Sequence, residues 1–284
     1  MGSPAGPAHI SVPRDVMAQP STVKASSYDL CNLLDRPTLI DDKAVGKLYD
    51  ELDKAKKPVF IVGDEACNAM PNILSLATAT QAQILVTPHG KGLVSPYHPL
   101  FKGVIGFAGH ASARALLADP KVDLVVAIGA RFGEFSSNAW DTETLLTNKL
   151  VHVESTEANL TRTPMAKLHV RGCLETIFGR IVERYSNDAH SYIKIVPNEK
   201  PGVEQERINE DKKNTDLEMH FECDDLEAYR SDATPIKPQR LMRDLPKLFP
   251  PHTRYLADSG NSFAWGTHYL HPFDRRLAGM RVQG

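Results

Sequence analysis

The order of apolar and polar residues divides the chain into segments of different period. "DDKAVGKLYDELDKAKK" places Ala44, Val45, Leu48, Leu52 and Ala55 on one helical face. Asp41 and Asp42 stand at its start as cap and favourable charge, and Lys54, Lys56 and Lys57 at its end, where the helix dipole favours cations. "PVFIVG" (Pro58 to Gly63) is a continuous apolar run closed by glycine, the pattern of a strand buried on both faces. "MPNILSLATAT" predicts a helix with Pro71 in its first turn. "QILVTP" predicts a strand stopped by Pro88, and "ASARALLADP" a short helix stopped before Pro120. "VDLVVAIGAR" is the strongest strand pattern, and "KLVHVES" and "KLHVRG" are two more. "CLETIFGRIVERY" predicts a helix with Leu174, Ile177, Phe178, Ile181 and Tyr185 on one side. Alternating strand and helix patterns predict βαβ units in a parallel sheet with helices on both faces, at about residues 38–187.

The two ends of the chain have a different pattern. "HISV" (His9 to Val12) alternates like a short half-buried strand stopped by Pro13, yet nothing before it offers a pairing partner. Residues 1–20 therefore look like the end of a preceding domain, and residues 21–37 like a polar linker. From Val203 to Tyr229 acidic residues outnumber Arg207, Lys212 and Lys213. This suits a solvated linker with some helix, over residues 188–233, better than an acidic interaction segment. "TPIKPQRLMRDLPKLFPP" has a short helix at its centre, and "TRYLADSGN" (Thr253 to Asn261) reads as a strand ending in a glycine turn. Residues 234–284 look like a domain that begins and is left incomplete.

Composition narrows the function classes. Apolar content of 42% and charge of 24% are those of a globular protein with a sizeable core. A formal net charge of −2 argues against a nucleic-acid or membrane partner. No basic stretch followed by an apolar one marks the N-terminus, so no leader is expected. The four cysteines, Cys31, Cys67, Cys173 and Cys223, are scattered without a CxxC, which suits reduced thiols in the cytoplasm.

Ligands of open α/β sheets bind outside the carboxyl ends of the strands. The residues there are Gly63, Asp64 and Glu65, then Thr87, Pro88 and His89, then Gly129, Ala130 and Arg131, and Glu154 with Ser155. Glycines admit close backbone approach, and Arg131 suits a phosphate. No GxGxxG or GxxxxGK[ST] follows any strand, so these glycines equally well only turn the chain. "HYLH" sets His268 and His271 three apart, a weak hint of metal binding among eleven histidines. No local pattern supplies a complete acid–base or nucleophile set.

Taken in order, several stretches resemble thiamine-diphosphate enzymes of the acetolactate synthase and 2-oxo-acid decarboxylase type. "GPAHISVPRDV" is similar to the end of that family's pyrimidine-binding domain. "AKKPVFIVGDEA", "ILVTPHGKGLVSPYHPLFKGVIGFAG", "VDLVVAIGARF" and "LVHVESTEANL" are similar to its middle domain, and "YLADSGNSFAW" to the start of its pyrophosphate-binding domain. The resemblance implies a six-stranded parallel sheet, flanked by incomplete pieces of two other α/β domains. It also implies an internal fragment of a longer lyase or carboligase that is itself inactive. The parent would use thiamine diphosphate and Mg²⁺ on a 2-oxo acid or acyl substrate, as a homodimer or homotetramer. Gly260, Asn261 and Ser262 would face the diphosphate.

The middle domain of this family binds FAD, ADP or nothing. The matching positions are Gly63, Asn68, Thr87, His89, Gly106, Phe107, Gly129, Ala130, Arg131, Glu154, Ser155 and Asn159. "GARF" and Glu154 with Asn159 agree with the flavin pattern. "GDE" in place of a small-residue turn, "GEFSS" without a basic residue and Cys173 in place of an acid depart from it. Two carboxylates beside a pyrophosphate are unfavourable, so a vestigial site without nucleotide is favoured over FAD or ADP. Two other classes stay open: a stand-alone nucleotide-binding or assembly module, and a sirtuin-type deacylase. The latter lacks its zinc CxxC pairs here.

Overall fold

The computed structural model describes residues 9–20, 40–145, 147–187, 218–250 and 253–272. The linker expected at 21–37, most of the acidic segment and the last residues lie outside this set.

The core is built from β1 (Pro58–Val62), β2 (Gln83–Val86), β3 (Phe101–Val104), β4 (Leu124–Ile128), β5 (Leu150–Glu154) and β6 (Leu168–Arg171). All pairings are parallel, in the order β3-β2-β1-β4-β5-β6. Every residue of β1, β4 and β5 is buried. Successive side chains of a strand point to opposite faces, so Phe60 and Val62 serve one core and Val59 and Ile61 the other. On the first face lie α2 (Asp42–Lys54), α3 (Met70–Thr80) and α6 (Leu174–Asn187), through Leu48, Ile73, Ile177 and Phe178. On the second lies α4 (Ala111–Ala118), through Ala113 and Leu117, with Phe132 beside it. Asp41 caps α2, its carboxylate accepting from Lys43 N at 2.9 Å and Ala44 N at 3.1 Å. A short α5 (Glu157–Leu160) follows β5.

β3 carries no strand signature in the sequence. Lys102 interrupts its apolar run, and Gly103 adopts φ +114°. It is held instead by β2, across a register shift between Ile84 and Val86.

Two expected strands are absent. Residues 9–12 form no strand and are exposed; a helical turn, α1 (Arg14–Met17), follows with Pro13 at its N-cap. Residues 253–258 contain only an isolated bridge at Leu256, which is 80% exposed. Both stretches alternate correctly, but a strand needs a ladder, and no neighbouring strand meets them among the described residues.

Beyond the sheet, α7 (Leu226–Arg230), α8 (Pro238–Leu248) and α9 (Asn261–Tyr269) pack together on the β3 side. Phe221 sits edge-on to Phe101 of β3, with centroids 5.3 Å apart, and Tyr229 stacks on Tyr269 at 5.9 Å.

Candidate functional site

The strand order reverses between β1 and β4, which makes their carboxyl ends the topological switch point where open α/β sheets bind ligands. Here the two chain turns touch. Gly63 N donates to Ile128 O at 2.9 Å, and a Cβ on Gly63 would lie 2.1 Å from Gly129 O. Gly129 has φ +57°, and a Cβ there would meet Ala66 N at 2.7 Å. The 3-10 turn Asp64–Ala69 then sets two carboxylates above the strand ends.

Those carboxylates take up the charge of Arg131. Its Nη2 donates to Asp64 Oδ2 at 2.6 Å, and its Nε lies 4.0 Å from Glu65 Oε1. Ser155 Oγ donates to Glu65 Oε2 at 2.7 Å. Behind it Glu154 is fully buried, with Oε1 accepting from Ser155 N at 2.7 Å. Burial first, then hydrogen bonding to and the charge of the neighbouring Glu65, raises the Glu154 carboxyl above its ordinary value. Among the described residues, Thr156 Oγ1 and Asn159 Nδ2 are buried without a hydrogen-bond partner, and the Glu154 carboxyl faces Glu65.

The structure thus gathers Gly63, Gly129, Ala130, Arg131, Glu154 and Ser155, with Asn159 buried on α5. Thr87 is buried, and its Oγ1 is taken by Gly90 N at 3.0 Å. Asn68 and His89 are exposed. Three features of this arrangement bear on a pyrophosphate. The glycine turns close on each other, the guanidinium is already paired, and the surrounding side chains add negative charge.

The second place is the start of α9. Gly260 is its N-cap with φ +96°, and a Cβ there would meet nothing within 4 Å. Ser259, Gly260, Asn261 and Ser262 are exposed. The first helical bond runs from Ala264 N to Gly260 O, so the N–H groups of Asn261, Ser262 and Phe263 lie outside the intrahelical ladder. Asp258 Oδ1 accepts from Ser259 N at 2.7 Å, and Ser262 Oγ donates to Asp258 O at 3.2 Å. The turn offers converging donors, the helix dipole and open space, which suit an anion.

The third place escaped sequence reasoning except for the His268–His271 spacing. His110, Cys223 and His268 converge with nitrogen and sulfur atoms within 4.8 Å of one another, and His271 Nε2 is 3.7 Å from Cys223 Sγ. The hydrogen bonds make it a clasp and not a metal centre. Val104 N donates to His110 Nδ1 at 2.9 Å, so Nε2 bears the proton and donates to His268 O at 3.0 Å. Asp224 N donates to His268 Nε2 at 2.8 Å, leaving Nδ1–H for Ala108 O at 3.3 Å. The lone pairs a metal would need on His110 and His268 are committed. Beside them Lys91 Nζ donates to Gly266 O at 2.6 Å and Thr267 O at 2.5 Å.

Residues 45–181 match the family described as the thiamine pyrophosphate enzyme, central domain. A probable acetolactate synthase large subunit from Methanococcus aeolicus is 25% identical over 93% of this chain and 44% of its own length. A putative acetolactate synthase large subunit from Mycobacterium tuberculosis is 30% identical over 46% of this chain and 24% of its own length. An acetolactate synthase from Arthrospira platensis is 26% identical over 63% of this chain and 32% of its own length. The chain spans less than half the length of these relatives.

Proposed function

We propose that this chain, whose residues 45–181 match the thiamine pyrophosphate enzyme central domain, is part of an acetolactate synthase-like lyase or carboligase acting on 2-oxo acids. Residues 38–187 are the scaffold domain, and residues 234–284 contribute the diphosphate turn. One observation carries this reading: the open start of α9, where Gly260 leaves room for close approach and the N–H groups of Asn261, Ser262 and Phe263 lie ahead of the first intrahelical bond. Asn261 and Ser262 add side-chain donors. Mg²⁺ would offset the diphosphate charge against the nearby Asp258.

When bound, thiamine diphosphate supplies the electron sink for decarboxylating a 2-oxo acid. This chain's own contribution is to bind and orient the diphosphate end. No acid–base residue for the reaction is assigned to it, and by itself it is expected to be inactive. In this reading the middle domain acts without a nucleotide, because Arg131 is already paired with Asp64, and Asp64 and Glu65 would repel a pyrophosphate at the β1–β4 switch point. The setting would be a cytoplasmic homodimer or homotetramer. Among the described residues no helix is long and apolar enough to cross a membrane.

The test is calorimetric titration of the chain with thiamine diphosphate and Mg²⁺, followed by absorbance of the purified protein. Saturable binding, weakened roughly ten- to a hundred-fold in Asn261→Ala, with no flavin absorbance, is expected. A yellow protein releasing stoichiometric FAD on denaturation would overturn the scaffold reading.

A further inference from the structure

We propose that Lys91 is a positioning residue for the diphosphate turn: it anchors the carboxyl end of α9 and so fixes the direction in which Gly260, Asn261 and Ser262 present their donors. This rests on the diphosphate reading of that turn.

Lys91 is a buried cation that neither the sheet nor the strand-end cluster uses. Its Nζ reaches across the molecule to two carbonyls near the end of α9, Gly266 O and Thr267 O. The last carbonyls of a helix lack full intrahelical partners and carry the negative end of its dipole, so a cation there is favourable. Among the described residues no carboxylate pairs with it. The ionisable groups that interact with it are Cys223, His110, His268 and His271, and Tyr97 interacts with Cys223. Burial pushes the Cys223 thiol up to about 11 and the Tyr97 hydroxyl up to about 12. Burial likewise holds His110 near 3 and His268 and His271 below their ordinary value. Burial favours the neutral form of each of these groups, so among the described residues the helix carbonyls are what holds Lys91, whose own pKa burial lowers to about 7. Methionine, of similar length, would fill the same space without the cost of burying a charge. What the ammonium adds is direction.

The clasp supports the same helix end. His110 Nε2 donates to His268 O at 3.0 Å, and His268 Nδ1 to Ala108 O at 3.3 Å. At the other end Phe263 lies near-parallel to Phe107, with centroids 6.3 Å apart and planes 18° apart. The helix is about 13 Å long at 1.5 Å per residue, so a tilt of about 10° at the clasp moves the turn by about 2 Å. That exceeds the tolerance of a hydrogen bond.

Two readouts on the 284-residue chain test this, at pH 6, where Lys91 is protonated given its pKa of about 7. Hydrogen exchange of the α9 amides is followed without ligand, and inorganic pyrophosphate is titrated calorimetrically. Lys91→Met should keep the β1 and β4 amides protected, speed exchange in α9 about ten-fold and weaken pyrophosphate binding about ten-fold, or 1.4 kcal/mol. Lys91→Arg should retain most of the affinity. If Lys91→Met loses sheet protection, Lys91→Gln replaces it, with the same losses expected. Unchanged α9 exchange and affinity in Lys91→Met overturn the proposal, as does Lys91→Arg behaving like Lys91→Met. Wild type that fails to bind pyrophosphate overturns the diphosphate reading itself and the proposal with it.

Discussion

The ends of β1 and β4 and the start of α9 are both glycine turns with polar neighbours, and they have opposite physics. At the strand ends, Gly63 has an ordinary φ of −101° but no room: Gly129 O occupies the place of a Cβ. Its cation, Arg131, is paired with Asp64 and faces Glu65. At α9, Gly260 has a left-handed φ of +96° and open space around it. Its donors are the N–H groups of a helix start, and solvent reaches them. A glycine in a turn therefore says little by itself. Whether it serves packing or a ligand depends on what a side chain would meet there, and on whether the nearby charges are already spent.

The contrast can be broken most strongly at Gly63. Gly63→Ala drives a methyl into the Gly129 carbonyl and should destabilise the domain by about 3 kcal/mol, the upper range of overpacking. Gly260→Ala should cost less, about 2 kcal/mol, because φ +96° with ψ −157° is a backbone conformation almost reserved for glycine. Urea unfolding of both variants checks the order; equal losses would show that α9 starts in a packed turn. Next is Asn261→Ala. It should leave stability unchanged and weaken thiamine-diphosphate binding by about 1.5–3 kcal/mol, roughly ten- to a hundred-fold, by removing a charge-assisted hydrogen bond. Calorimetry reads this directly, and an unchanged dissociation constant would make the turn merely structural.

The smallest effect concerns Glu154. Its carboxyl is raised from 4.5 to about 8 in the folded chain. The native state therefore binds more protons than the unfolded state between these values, and the group's contribution to stability falls as pH rises through that window. Glu154→Gln removes this dependence. The difference in melting temperature, variant minus wild type, should grow from pH 5 to pH 8. A difference that stays flat would mean that Glu154 is ionised beside Glu65.

The sequence shows most of the sheet, for a physical reason. β1 and β4 are continuous apolar runs because both faces are covered, and α2 and α6 keep a helical period because one face is. β3 lacked that signal, since Lys102 and Gly103 interrupt it and pairing with β2 holds it. Residues 9–12 and 253–258 carry an alternation that, among the described residues, builds no strand. Strand order was not legible, because it is set by pairings between distant segments. At the strand ends, the position of Arg131 could be read from its strand, but its pairing with Asp64 depends on a turn closing across β1 and β4. The clasp was hidden further. Lys91, His110, Cys223 and His268 stand far apart in sequence and meet only when the helices after residue 218 pack beside β3.

We propose that a pyrophosphate is taken up at the start of α9 and not at the ends of β1 and β4. Amide chemical shifts of the labelled chain, followed during titration with inorganic pyrophosphate, test this most directly. The expected result is saturable movement of Gly260, Asn261, Ser262 and Phe263, with Gly63, Gly129 and Arg131 unmoved. Saturable movement at Gly63, Gly129 and Arg131, with the α9 amides still, would contradict it.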